Sequence, residues 1–357
     1  MDFDYYIKEL EDENKIKYNV FYVNRNVLLT EEILQQMTKY NKVEFCTEFN
    51  QQIDNLPSGI QSITFDFYSK FNCSVDHLPK GLQDLSFGSD FNQSLCDNLP
   101  LGLQSITFGR SFNQSVDNLP LGLHSLTFND YSVFNQSIDN LPSSLQSLTF
   151  NSISQFNHSV DKLPSGLQTL SFGSNFNQPV NNLPSGLKKL SFGDNFNQSV
   201  DNLPSGLQTL TFGDKFNQSV DNLPSGLQKL IFRIEFNQPI DNLPLGLKSL
   251  TFHLDSKFNQ PINNLPIGLQ DLTFEPFSVF NRSLCDNLPS GLQSISLSGE
   301  FNQPIINLPS GLQSIAFGNE FNHTIDNLPS GLQTLIVSKK YDKPLNNIPD
   351  FLNITRV

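Results

Sequence analysis

Apolar side chains recur in this chain at positions that repeat every 20 to 22 residues. In the repeat that begins at residue 196 they are Phe196, Val200, Leu203, Leu207, Leu210 and Phe212. The alternation Leu210-Thr211-Phe212 predicts a short strand with one buried face, and no window of ten residues shows a helical period. A repeat of this length predicts a solenoid, in which each unit buries its apolar side against its neighbours.

Nearly every repeat opens with Phe-Asn. The openings are Phe49, Phe71, Phe91, Phe112, Phe134, Phe156, Phe176, Phe196, Phe216, Phe236, Phe258, Phe280, Phe301 and Phe321, with a degenerate copy at Tyr341. The pattern predicts a mainly β solenoid of about 15–16 coils of 20–22 residues, with one short parallel strand per coil. The opening Phe and the Phe that closes each strand should form two stacked columns.

An asparagine follows the opening Phe in every copy except the last, which has Asp342. A polar residue that recurs in coil after coil is expected to hydrogen-bond backbone groups that face no strand. We therefore predict a buried structural ladder of Asn50, Asn72, Asn92, Asn113, Asn135, Asn157, Asn177, Asn197, Asn217, Asn237, Asn259, Asn281, Asn302 and Asn322.

The Leu-Pro-Ser-Gly segment of each repeat predicts a tight turn before the strand. Proline favours the second position of a turn and glycine the fourth. Ser144 occupies the glycine position in one repeat, which favours a type I turn because that type does not require glycine.

Residues 1–39 lie outside the repeats, which fill residues 40–357. Residues 16–23 have strand character, and residues 30–37 predict a helix with Thr30 as its N-cap. Because a solenoid needs a cover over its first open coil, the segment is predicted to be a small strand and helix cap.

The last coil shows no comparable cap. Its strand positions fall in residues 352–357, with Thr355 at a leucine position. An open coil end favours association. We therefore expect this end either to meet a partner, which includes a second copy of the chain, or to be defended only by Arg356, Thr355, Lys339 and Lys340.

Composition narrows the class of partner. The formal net charge of −13 disfavours nucleic acid, which selects a basic face. The four cysteines, Cys46, Cys73, Cys96 and Cys285, form no CxxC motif and suit a reducing compartment. Neither a signal peptide nor a transmembrane segment is expected, so the cytoplasm is the predicted location.

No pattern indicates catalysis, a metal or a cofactor. The histidines are scattered and have no metal-ligand spacing. Same-slot acids such as Asp201 and Asp221 should lie about 5 Å apart, but acids recur there in many repeats, so we interpret the row as architectural. We expect a protein that is not an enzyme, with no catalytic, cofactor-binding or metal-binding residues.

The repeating unit Phe-Asn-Gln-(Ser/Pro)-(Ile/Val)-Asp-Asn-Leu-Pro-x-Gly-Leu-x-x-Leu-x-Phe resembles the FNIP repeat, a relative of leucine-rich repeats abundant in social amoebae and their giant viruses. The resemblance covers residues 40–357. It implies a leucine-rich-repeat-like solenoid that binds protein and has no catalytic residues. If the chain is viral, its predicted location is the host cytoplasm.

Many FNIP proteins carry an F-box, which would make them substrate receptors of ubiquitin ligases. Residues 28–34 faintly resemble the start of an F-box, but repeats begin by Tyr40 and leave no room for the rest. We therefore carry over no F-box function.

Sequence variation is concentrated after the strand-closing Phe. Most repeats have three residues there, whereas five have two more, at 66–70, 129–133, 151–155, 253–257 and 275–279. Insertions in repeat proteins often form the binding face, and aromatic residues are favoured anchors. The candidate partner-binding residues are Phe67, Tyr68, Tyr131, Ile153, His253, Leu254 and Phe277.

These side chains could instead cover the edge of the core. The leading function is a protein-protein interaction scaffold with an unidentified protein partner. The alternatives are a ubiquitin-ligase substrate receptor, by family resemblance alone, and a structural repeat protein with no dedicated site.

Overall fold

A computed structural model describes residues 4–11, 17–95, 99–284, 288–297, 299–325, 328–345 and 351–357, with backbone alone at 10, 11, 17 and 18. Contacts divide the chain into two compact units, Met1–Phe176 and Asn177–Val357. We call them unit 1 and unit 2.

Unit 1 contains nine strands and one helix among its described residues. They are β1 Tyr5–Glu11, β2 Lys17–Val23, α1 Glu31–Met37, β3 Lys42–Phe45, β4 Ser62–Phe65, β5 Asp84–Ser86, β6 Ser105–Phe108, β7 Ser125–Phe128, β8 Ser147–Phe150 and β9 Thr169–Ser171. Those of unit 2 are β10 Lys189–Ser191, β11 Thr209–Thr211, β12 Lys229–Phe232, β13 Ser249–Phe252, β14 Asp271–Phe274, β15 Ser294–Leu297, β16 Ser314–Phe317, β17 Thr334–Val337 and β18 Asn353–Arg356.

Each coil contributes one short strand, and strands β2 to β9 and β10 to β18 pair in parallel within their units. Equivalent residues lie side by side, as Leu126 and Leu148 do between β7 and β8. Within a strand the Leu and Phe positions are buried while the Ser or Thr between them is half-buried. The predicted mainly β solenoid is therefore confirmed.

The core of each unit is a double column of phenylalanine rings, as predicted. Phe108, which closes β6, stacks on Phe112, which opens the next repeat, with ring centroids 3.7 Å apart. The opening rings stack from coil to coil, for example Phe91 on Phe112 at 6.1 Å. Parallel, offset rings that exclude water contribute both apolar burial and stacking energy.

The asparagines form a hydrogen-bonded row in each unit. In unit 1 the Asn92 Oδ1 accepts from the backbone N–H of Asn113 at 2.9 Å, and in unit 2 the Asn197 Oδ1 accepts from that of Asn217 at 2.9 Å. The same oxygen also accepts from a glutamine amide of the next coil, such as Gln218 Nε2 at 3.1 Å.

The prediction that these asparagines are buried is wrong. They are half-buried or exposed, from Asn50 and Asn72 in unit 1 to Asn302 and Asn322 in unit 2. The reason is that backbone amides outside a strand lie at the surface of the coil, so the oxygens that pair with them lie there too.

The turn before the strand is displaced by one residue from the prediction. The Leu207 N–H donates to the Pro204 carbonyl at 3.1 Å, so proline occupies the first position and Ser205-Gly206 the centre. The φ of Gly206 is not positive. This agrees with a type I turn and explains why Ser144 is accepted at the glycine position.

The N-terminal segment consists of β1, β2 and α1. Strand β2 and helix α1 were predicted, and the Thr30 side chain accepts from the Ile33 N–H. Strand β1 was not predicted. It pairs antiparallel with β2 and stacks Tyr5 on Phe21 with ring centroids 4.7 Å apart.

Polar contacts join this segment to the first coils. The Lys8 ammonium lies 2.6 Å from Glu44 and 3.6 Å from the ring centroid of Tyr22. The Tyr22 hydroxyl donates to Asp66 at 2.9 Å. Burial, and then this hydrogen bond, raise the pKa of Tyr22, so the phenol stays a neutral donor. The N-terminal segment also supplies Asn26, whose Oδ1 accepts from the Asn50 N–H at 2.9 Å and begins the asparagine row.

The last strand has a different register from the one predicted. Ile354 pairs with Leu335, Thr355 with Ile336 and Arg356 with Val337. Thr355 therefore occupies the outward position and Ile354 the leucine position. The last coil lacks one residue relative to the repeat, and the one-residue shift keeps an apolar side chain on the core side.

Helix α1, the only helix in the described part of the chain, has seven residues, and no described helix is long and apolar enough to cross a bilayer. Cys46 and Cys73 are free thiols, and burial raises the pKa of each. Cys96 and Cys285 lie outside the described residues.

Candidate protein-binding site on the loops after the strands

The five insertions, which we call the long loops, share one local structure. Each contains a turn closed by a backbone hydrogen bond, such as Ser132 N–H to the Asn129 carbonyl at 3.2 Å. The serine that ends the turn is fully buried, and its Oγ accepts from the N–H of the next repeat's opening Phe. These pairs are Ser69–Phe71, Ser132–Phe134, Ser154–Phe156, Ser256–Phe258 and Ser278–Phe280.

The three-residue connections, which we call the short loops, satisfy the same amide differently. In the loop 193–195 the Phe196 N–H donates to the Gly193 carbonyl at 3.3 Å. A side-chain oxygen thus replaces a backbone oxygen where two residues are added. The serine keeps the core intact, and the tip of the long loop is left free to project.

The tips carry the predicted candidate residues, and the structure leaves most of them exposed. Tyr68 is 71% exposed, Tyr131 54% and Phe277 70%. Phe67, Ile153 and Leu254 are also exposed, while His253 is half-buried. The alternative interpretation was that these apolar side chains cover the edge of the core. The exposed tips do not do so.

Two of the exposed aromatic residues have a strained backbone. Tyr131 has φ 62° and Phe277 has φ 63°, and Asp255 has φ 59° at the equivalent tip of the loop 253–257. This left-handed region costs a bulky residue on the order of 1–2 kcal/mol and favours glycine. A large exposed ring at such a position is unfavourable for folding, which is typical of residues kept for function.

Three candidates of unit 1 line one cavity of about 760 Å³, which we call the aromatic slot. Phe67 and Tyr68 come from one long loop and Tyr131 from the next. The long loops also supply Lys70 and Asp130, and the two short loops between them supply the other four residues. The lining residues are Phe67, Tyr68, Lys70, Ser89, Asp90, Arg110, Ser111, Asp130 and Tyr131.

The charged groups of the aromatic slot differ in their partners. Lys70 lies 2.6 Å from Glu48, and this contact raises the pKa of Lys70. Asp130 accepts from the Ser152 hydroxyl at 2.9 Å. The Arg110 guanidinium has no hydrogen bond or ion pair to the residues described. The slot therefore combines aromatic walls with an unpaired cation, a combination typical of protein-recognition surfaces.

Phe277 lines a separate cavity of about 430 Å³ in unit 2, which we call the unit 2 cavity. Of the other candidates in this unit, His253 lies 3.5 Å from Glu275, and the Leu254 N–H donates to the same carboxylate at 3.1 Å. His253, Leu254 and, in unit 1, Ile153 line neither cavity.

No group of metal-binding side chains occurs among the residues described, and every buried side-chain nitrogen or oxygen there has a hydrogen-bond partner. Asp201 accepts from Ser199 at 2.7 Å and from Asn222 at 3.0 Å, and these bonds lower its pKa. Asp201 therefore takes part in the hydrogen bonding of its own coil and of the next one.

The FNIP Repeat family matches residues 91–131, 134–175, 156–195, 176–215, 196–233, 216–255 and 280–320, which together exceed half of the chain. The chain belongs to the FNIP repeat family. No curated protein sequence matches this FNIP protein significantly.

Several solved structures of leucine-rich-repeat proteins are similar to this FNIP protein. A leucine-rich-repeat protein of Leptospira interrogans has a TM-score of 0.55 and 15% identity, covering 85% of each chain. CroV588, a circular leucine-rich-repeat protein, has a TM-score of 0.45 and 29% identity, covering 97% of this chain and 73% of its own. YopM from Yersinia enterocolitica has a TM-score of 0.47 and 19% identity, covering 89% and 81%.

The Leptospira likeness supports a leucine-rich-repeat-like solenoid. Such solenoids are typical of interaction scaffolds and are generally not catalytic. Sequence reasoning missed the short-loop residues that line the aromatic slot, above all Arg110, and the buried serines. The only available signal for the serines was the serine shared by all five long loops at their fourth position.

Proposed function

We propose that this FNIP protein is a non-enzymatic scaffold that binds another protein through its long loops. The observation that carries the proposal is the pair of exposed aromatic tips, Tyr131 and Phe277, held at positive φ. Each lines a cavity, and neither contributes apolar burial to the core that would offset its strain.

In unit 1 the aromatic slot is the proposed contact. Phe67, Tyr68 and Tyr131 are rigid aromatic anchors, the residue type enriched at energetic centres of interfaces. Arg110 adds an unpaired cation that can form a charge-assisted hydrogen bond with a partner. Ile153, His253 and Leu254 are proposed as flanking contacts.

We place the protein in the cytoplasm, or in the host cytoplasm if it is viral. The free thiols Cys46 and Cys73 support a reducing compartment. The acidic net charge of −13 supports a protein partner rather than nucleic acid.

The first test is affinity capture from amoebal lysate with intact protein and with a variant whose five long loops are replaced by Gly-Asp-Asn. The replacement should fold, because a short-loop glycine carbonyl can accept the same Phe N–H that the loop serine accepts. We expect a partner that the intact protein retains and the trimmed variant loses. Equal capture by both proteins, or no partner with either, would contradict the proposal.

Tyr131→Gly is the sharper variant for the same site. Because glycine relieves the left-handed strain, the free energy of unfolding should be unchanged or raised by up to about 1 kcal/mol, while partner binding weakens. Asp255→Gly is the matched control, since it changes a tip of similar φ that lines neither cavity. Titration calorimetry with the captured partner and urea unfolding measure the two effects, and undiminished binding by Tyr131→Gly would remove that residue from the site.

The substrate-receptor alternative receives no support from the N-terminal segment. The described part of residues 1–45 forms strands and a seven-residue helix, whereas an F-box requires a series of helices. Capture of a cullin-ligase adaptor that loop trimming does not abolish would favour that alternative.

A further inference from the structure

The unit 2 cavity lies where two adjacent strands carry apolar residues at the outward position, whereas Ile231 of β12 is a single such residue between strands with Thr there. The cavity lies beside the long loop 275–279 and the short-loop residues 318–320, and it is lined by the apolar side chains of Phe277, Ala316, Ile336 and Val357. Its volume of about 430 Å³ falls within the range of ligand-sized pockets, about 300–1,000 Å³.

The sequence changes its pattern where the cavity begins. The outward residue of the strand is Thr251, Thr273 and Ser296 in β13 to β15. It becomes Ala316 in β16 and Ile336 in β17, which pair side by side. In two adjacent coils an apolar side chain thus stands where the three preceding strands have a hydroxyl side chain. Both apolar side chains line the cavity.

The charge of the cavity is of one sign. Glu300 and Glu320 are exposed lining residues, and no lysine or arginine is among the lining. Neither carboxylate has a side-chain hydrogen bond or ion pair to any residue in the described ranges. Two unpaired anions beside apolar walls attract a cation that brings apolar surface with it, because the low-dielectric wall strengthens the attraction.

We propose that the unit 2 cavity binds a lysine or arginine side chain from a basic segment of a partner protein. The aliphatic stem of such a side chain would pack on Ala316, Ile336 and Val357 while its charged end meets Glu300 and Glu320. Phe277 would contribute a cation-π contact from the tip of its loop. The inference rests on the proposed scaffold function and gives it a partner chemistry.

A display library of random heptapeptides provides the test. Selection on the intact protein should enrich peptides that contain lysine or arginine next to an apolar residue. The double variant Glu300→Gln/Glu320→Gln should bind a selected peptide about tenfold more weakly by fluorescence polarisation, and added salt should weaken binding to the intact protein.

Asp255→Asn/Asp271→Asn is the matched control. Like the double glutamine variant, it removes two negative charges, but from exposed residues of unit 2 that do not line the cavity. Peptide affinity should therefore change less than about twofold. Phe277→Gly should weaken binding without unfolding the protein, because the ring is exposed and its φ favours glycine.

Enrichment of peptides without a cation, no enrichment, or full binding by Glu300→Gln/Glu320→Gln would overturn the inference. Its failure is distinct from that of the scaffold proposal. If the intact protein still captures a partner and loop trimming abolishes that capture, the scaffold proposal stands. In that case only the partner chemistry proposed here is wrong.

Discussion

At the scale of single residues, the buried serines of the long loops link sequence variation to core stability. Ser132 is fully buried, and its Oγ accepts from the Phe134 N–H at 3.2 Å. This hydroxyl gives a buried amide the partner that a glycine carbonyl provides in a short loop. A loop can therefore vary at its tip only while this position keeps an acceptor.

Ser132→Ala should lower the free energy of unfolding by about 1–3 kcal/mol, because it leaves the buried Phe134 N–H without a partner. Ser143→Ala is the control, since Ser143 is exposed in the same unit, and its effect should stay within about 0.5 kcal/mol. Urea unfolding measures both. Equal midpoints for the two variants would show that the hydroxyl contributes nothing.

The recurring Ser-x-Asp segment provides a second residue-scale prediction. The Ser199 hydroxyl, and then Asn222, lower the pKa of Asp201. A lowered folded-state pKa adds stability above the unfolded-state pKa of about 3.9, and this stability is lost as pH falls through the folded-state value. Ser199→Ala should therefore raise the pKa of Asp201. The stability that this carboxylate contributes should then be smaller and should be lost at a higher pH.

Carboxyl NMR titration measures this pKa directly. Ser219→Ala is the control, because Ser219 donates to Asp221 in the next repeat and should leave Asp201 unchanged. An Asp201 pKa that is the same in the parent and in Ser199→Ala would contradict the assignment.

At the scale of elements, two kinds of glycine differ in what their surroundings allow. A Cβ at Gly213, in a short loop, would overlap the carbonyl group of Gly193 in the preceding coil. A Cβ at Gly206, in the turn before the strand, would meet only the Ser185 carbonyl oxygen at 3.5 Å. Close backbone approach therefore disfavours a side chain at Gly213, although another short loop begins with Arg233, whereas the turn at Gly206 has room for a side chain.

Gly213→Ala should therefore lower the free energy of unfolding by about 1–3 kcal/mol through overpacking. Gly206→Ala should be neutral or stabilise by up to about 1 kcal/mol, because it restricts the unfolded chain without a clash. Urea unfolding of the two variants tests the difference. The explanation fails if alanine is tolerated equally at both positions.

Two features at the scale of elements were not predicted correctly from the sequence, and each has a physical reason. Strand β1 carries several charged residues and has no partner near it in the repeats, so only its pairing with β2 determines its conformation. The register of β18 was predicted from the Leu-x-x-Leu spacing. Packing of Ile354 beside Leu335 overrides that spacing, because a slip of one residue exchanges the two faces of a strand.

At the scale of the whole molecule, the last strand is a candidate contact between copies. Within the described residues β18 pairs with β17 alone, and all four of its residues are exposed. An unpaired strand edge with exposed Ile354 and Val357 is a template for pairing with a second chain.

We predict concentration-dependent self-association that Ile354→Lys weakens, because a lysine on an edge strand opposes pairing. Leu245→Lys is the control, since Leu245 is an exposed apolar residue of unit 2 outside β18. Light scattering across a concentration series measures the mass. A strict monomer at high concentration, or an equal effect of both lysines, would refute the prediction.

The sequence by itself determined the repeat length, the strand positions, the stacked phenylalanine columns and the family. These follow from local periodicity, since each coil meets only its neighbours and equivalent residues meet each other. The tertiary structure decided which residues of different loops share a cavity, as Tyr68, Arg110 and Tyr131 do. It also decided that the asparagine row lies near the surface, because exposure depends on what covers each coil rather than on the repeat itself.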